Sequence, residues 1–95
     1  MVIRILDIVT GADTSEQGVA VCSWLRAAMS TDDTAVVSFA GVNTATSSFV
    51  ASAFIPLLAD YSLAEVKRRL RVINSTRQIN EMIKTRMERE GLVAA

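Results

Sequence analysis

An α/β domain on a mainly parallel sheet, with a β-α-β-α-β-α core and crossover helices, is the fold class this chain predicts. Three observations carry it. Short apolar runs rich in β-branched residues occur at 1–9, 35–42 and 69–74. Between and after them, apolar residues recur at three and four positions, as on one face of a helix. The two kinds of segment alternate strictly, so successive strands need crossover connections, which are right-handed in parallel sheets.

The first strand, 1–9, is VIRILDIV and its flanks, alternating around Arg4. A glycine turn at TGAD follows. Thr14 and Gln17 then stand at capping-box spacing, opening a helix over 14–29. Its face is Gly18, Val21, Cys22, Leu25, Ala28 and Met29, with Trp24 to one side. STDDT breaks the helix, and AVVSFAGV at 35–42 is a nearly continuous apolar run, the pattern of a central strand covered on both faces. Val50, Ala53, Phe54, Leu57 and Leu58 give the second helix, 47–59, with a kink or restart expected near Pro56. YSLAEVKRR adds a short helical turn before the third strand, 69–74. Ser75 and Gln78 repeat the capping-box spacing, and Ile79, Met82, Ile83 and Met87 stripe the last helix, 75–90. Lys84, Arg86 and Arg89 lie toward its C-terminal half, where cations suit the helix dipole.

Ninety-five residues, 51% hydrophobic and 21% charged, with one proline and four glycines, suit one compact domain over 1–95. The opening apolar run contains an arginine and an aspartate, unlike a signal peptide or a membrane span. With a single cysteine, Cys22, no internal disulfide can form, and a cytoplasmic setting is expected. Formal charge is zero but divided: residues 1–66 sum to minus five and residues 67–95 to plus five. Such a polar molecule can steer a partner, or neutralise itself across the fold.

Several chemistries are disfavoured. There is no histidine, and the carboxylates are scattered, so no metal-ligand cluster is written in the chain. Ser47, Ser48 and Cys22 lack an evident base, and Cys22 falls on a helix core face. Gly11, Gly18 and Gly41 make no phosphate-cradling motif. KRRLR at 67–71 has no interleaved aromatic residue and reads as a solvated basic edge, so nucleic acid is not the expected partner. No cofactor is called for.

What stands out is NTATSSF at 43–49. Thr46 or Ser47 can cap the second helix. A serine at that helix start is also well placed for phosphorylation, because orphan amides and the helix dipole can receive the added charge.

VVSFAGVNTATSSFVASAF followed by RLRVINSTRQINEMIK resembles the STAS-like family of small bacterial domains, related to anti-sigma factor antagonists, over residues 10–90. The likeness lies in the strand ending at Phe39, Gly41 and Val42, the Ser48–Phe49 step opening a helix, and the RVIN strand before the last helix. It implies a noncatalytic regulatory module that binds a histidine-kinase-like ATPase acting as anti-sigma factor or switch kinase. In antagonists of that kind a serine at the helix start is phosphorylated, which releases the partner; here that position matches Ser47, with Ser48 beside it. The implied recognition surface is Asn43, Thr44, Thr46, Ser47, Ser48 and Phe49. The antagonists carry an aspartate before the serine pair and a glycine after it, where this chain has Thr46 and Phe49. Acidic residues of relatives are replaced by Ser38, Ala51 and Ser52. Two other readings stay open: a structural or homodimeric module whose serines only cap the helix, and a sensor of a small ligand or nucleotide.

Overall fold

Three parallel strands form the scaffold of the computed structural model, which describes residues 2–31 and 34–94. Strand β1 is Val2–Arg4, β2 is Ala35–Ser38 and β3 is Leu70–Ile73, in the order β1-β2-β3. Val36 lies opposite Val2 on one side and Arg71 on the other; Val37 lies between Ile3 and Val72. β2 is therefore central. The chain is α/β, consistent with a small STAS-like fold.

The expectation that β2 is covered on both faces is corrected. Ile3, Ala35 and Val37 are buried, and Leu70 and Val72 pack against the core. On the opposite face Val2, Arg4, Arg71 and Ile73 are exposed and Val36 is only half-buried, with Ser38 at the end of β2 the buried exception. Both crossovers step the same way across the sheet, so right-handed connections put their helices on one face and leave the other open.

The strand expected over 1–9 ends at Arg4, and Met1 lies outside the described residues. Ile5–Ile8 turns as a short helix, α1. In VIRILDIV, Ile5, Ile8 and Val9 also stand at i, i+3 and i+4, and the turn sinks Ile5 into the core with Ile8 and Val9 against it. Burial outweighed alternation. The second strand stops at Ser38 rather than 42, because Gly41 takes φ +83° and Val42 N–H bonds Phe39 O at 2.8 Å, closing a turn.

Helix α2, Ser15–Thr31, opens with the Thr14 and Gln17 box: Gln17 N–H donates to Thr14 Oγ1 at 3.2 Å and Thr14 N–H to Gln17 Oε1 at 3.0 Å. Asp32 and Asp33 of the polar break lie outside the described residues. Helix α3 is Ser47–Phe54, and the backbone restarts as a 3-10 helix, Ile55–Ala59, around Pro56. After it come α4, Leu63–Arg69, and α5, Arg77–Ala94. The last helix begins two residues later than expected. Its cap is Thr76, which accepts from Ile79 N–H at 3.1 Å, while Ser75 donates to Asn80 Oδ1.

Phe39, Phe49 and Phe54 meet at the centre of the core, Phe39 stacked on Phe54 at 6.4 Å and edge-on to Phe49 at 6.5 Å. α2 and α3 touch at Gly18, where an added Cβ would lie 2.6 Å from Phe49 O and 3.1 Å from Ala53 N. Arg26 on α2 bonds Pro56 O at 3.0 Å and stands 3.4 Å from Asp60, tying α2 to the 3-10 segment.

Candidate functional site

The loop from Gly41 to Thr46 leads out of the sheet into α3, and Thr46 fixes it in place. Thr46 N–H donates to Ala12 O at 3.0 Å and its hydroxyl donates to Asp13 O at 2.9 Å. The same oxygen accepts from Phe49 N–H at 3.1 Å, which makes Thr46 the N-cap of α3. One threonine thus satisfies an orphan helix amide and clamps the loop to the segment that leads into α2.

With the cap supplied by Thr46, the hydroxyls of Ser47 and Ser48 make no hydrogen bond among the described residues and are exposed. Asn43 and Thr44 are exposed as well. Phe49, expected on the recognition surface, is instead fully buried against Phe39. The physical reason is helix geometry: with Ser47 and Ser48 outward, Phe49 and Val50 turn inward and anchor α3 to the core.

Only Ser47 of the serine pair borders a cleft between α3 and α5. This cleft, about 320 Å³, is lined by Ser47, Val50, Glu81, Met82, Thr85, Arg86 and Arg89. Its lining is mostly apolar and includes two guanidinium groups and one carboxylate. Arg86 Nε is sealed from solvent without a hydrogen bond, its nearest anion being Glu90 Oε1 at 3.4 Å. Arg89 is exposed and makes no ion pair among the described residues. Sequence reasoning missed that Ser47 and these arginines line one cleft. Their spacing on α5 explained them as dipole partners, and nothing local links them to a serine so far upstream.

The buried end of β2 is also polar. Ser38 is 5% exposed and its hydroxyl accepts from Asn74 Nδ2 at 3.0 Å and Ala40 N–H at 3.2 Å. It closes the C-terminal ends of β2 and β3, next to the loop, with Asn74 in the left-handed region at φ 55°.

Other candidates resolve into architecture. Cys22 is buried, and burial pushes its thiol up, with Arg26 acting in the opposite direction. It is a core residue. Within KRRLR, Lys67 pairs with Glu88 at 3.2 Å and Arg69 with Glu65 at 3.1 Å, while Arg69 also bonds Met29 O and lies over the Tyr61 ring. Two of its four basic side chains are thus paired within the chain. Among the described residues no group of three His, Cys, Asp or Glu could hold a metal ion, and no single helix is long and apolar enough to cross a membrane.

Comparison with known families decides the relationship. Residues 17–80 match the family described as a STAS-like domain of unknown function (DUF4325). The chain belongs to this family. No curated protein and no solved structure matches it at a significant level. In this STAS-like domain the matched stretch runs from the α2 capping box, through the loop and α3, to the first turn of α5. Ser47 therefore lies inside the family segment, and Arg86 and Arg89 lie beyond it.

Proposed function

We propose that this STAS-like domain is a noncatalytic regulatory module that binds a histidine-kinase-like ATPase, and that phosphorylation of Ser47 or Ser48 switches the contact. The carrying observation is the unspent hydroxyl pair on the first turn of α3, on a loop clamped by Thr46. A rigid loop presents the same surface at every encounter, which lowers the ordering cost of binding. Asn43, Thr44, Ser47 and Ser48 form the exposed contact set, with Thr46 and Phe49 holding it in shape.

Phosphorylation would add close to two negative charges at the positive end of α3, which has no acidic residue in its first turn. A partner fitted to the neutral hydroxyls would then meet a dianion. Membership of the STAS-like family supports this reading.

Intact mass of the protein isolated from its native cell, and after incubation with ATP and a histidine-kinase-like ATPase from the same cell, tests the switch. One phosphate is expected, lost in the Ser47→Ala, Ser48→Ala double variant. No phosphate under any condition that activates the partner would overturn the switch, and absence of a complex would overturn the partner.

A further inference from the structure

We propose that Arg86 and Arg89 form a receiving site, in cis, for a phosphate carried on Ser47. This rests on the phosphorylation reading above and chooses between its two serines. The geometry is a cleft whose lining brings together Ser47, the first residue of α3, and two arginines of α5.

Ser47 opens α3 and lines the cleft; Ser48, the next residue round the helix, does not. Arg86 and Arg89 are three apart on α5, hence on one face, and both line the opposite wall. Arg86 has its Nε turned to Glu90 and sealed, while the side chain as a whole is 37% exposed beside the cleft. Its terminal nitrogens make no hydrogen bond among the described residues. Arg89 is likewise unspent there.

The cleft lining carries one more cation than anion. α3 contributes no charged side chain, and α5 contributes Arg86 and Arg89 against Glu81; Glu90, outside the lining, pairs with Arg86 through Nε and leaves Arg89 as the cation without an ion pair among the described residues. A phosphate is the anion that suits this arrangement, since guanidinium forks bind its oxygens in pairs and the first-turn amides of α3 add dipole support. Thr85 supplies a further hydroxyl on the same wall.

The transfer itself belongs to the partner kinase. The Pγ–O bond to the β-phosphate of ATP breaks, a bond from Ser47 Oγ to Pγ forms, ADP leaves, and the hydroxyl proton passes to the kinase's base. What this chain adds is capture: the new dianion bridges α3 to α5, quenching the two cations and fastening the start of α3. Phosphorylation thereby changes the surface through an internal latch as well as through added charge.

Phosphoserine placed co-translationally at position 47, or at 48 as control, makes the test independent of any kinase. Phosphorus NMR titration reads the second phosphate ionisation, ordinarily near pH ~6. With the latch, phosphoserine at 47 ionises about half a unit to one unit lower than at 48. In the Arg86→Gln, Arg89→Gln background that difference disappears, while circular dichroism confirms folding. Equal values at 47 and 48, or a difference that survives both substitutions, would overturn the latch. Absence of phosphate in the native cell would sink the switch and leave this result standing, so the two failures are distinguishable.

Discussion

Replacing Gly18 by alanine should destabilise the protein even though alanine is the better helix former. In an open helix the change gains roughly 1 kcal/mol. Here the new Cβ would sit 2.6 Å from Phe49 O, 2.7 Å from Ser52 Cβ and 3.1 Å from Ala53 N. Carbon contacts are comfortable at about 3.5–4.0 Å, so α3 would have to retreat by close to 1 Å. Two of the three obstructing atoms are backbone, and no rotamer change moves them. The helix cannot retreat freely, because it carries Phe49, Val50, Ala53 and Phe54, all fully buried. Overpacking of this kind costs about 1–3 kcal/mol, and backbone obstruction places it at the upper end. Set against the propensity gain, the net loss is about 2 kcal/mol, or a fall in Tm of about 10 °C for a domain of this size. Urea unfolding followed by circular dichroism reads it. Gly91→Ala is the internal comparison: the nearest atoms to its Cβ belong to the Leu63 side chain, Cδ2 at 2.9 Å, Cβ at 3.1 Å and Cγ at 3.3 Å, and the closest of them can turn aside by a rotamer change. That variant should stay within about 1 kcal/mol of wild type. A Gly18→Ala protein as stable as wild type would refute the close helix contact.

The cap should behave differently from its neighbours. Thr46→Ala loses the bond from Phe49 N–H and the tether to Asp13 O, costing about 1–2 kcal/mol in chemical denaturation, whereas Thr46→Ser stays near wild type. Ser47→Ala should change stability by no more than about 0.5 kcal/mol, since its hydroxyl bonds nothing among the described residues. Gly41→Ala forces φ +83° on a side-chain-bearing residue and crowds Leu6 Cδ1 at 2.7 Å, so a loss of about 1–2 kcal/mol is expected in the same assay. Cys22 sets an alkaline limit. Burial raises its folded pKa above the ordinary 9.0, so the stability gained from burying the neutral thiol is complete below pH 9.0 and declines as pH rises through the folded value. Compared with Cys22→Ala across that window, wild type should lose more stability; parallel curves would contradict the assignment.

Where a local signal had no competitor, reading the chain was sufficient. The Thr14–Gln17 box, the stripe on α2 and the Pro56 restart all depend on residues within one or two turns of each other. Where two local patterns competed, packing chose. VIRILDIV satisfies both a strand and a turn, and the buried site available to Ile5 decided for the turn. The run AVVSFAGV looks double-sided because, Ser38 apart, both alternating sets of its residues lack polar side chains, yet Val36 stays half-buried on the open face.

The candidate site divides the same way. The chain by itself determined a hydroxyl-rich helix start after a central strand, because capping chemistry and apolar spacing are short-range properties. Only the tertiary structure decided which hydroxyl is spent on capping, which aromatic is buried, and which serine shares a cleft with the arginines. Those outcomes depend on how α3 lies against α2 and α5, a consequence of side-chain volume and approach distance between residues far apart in the chain.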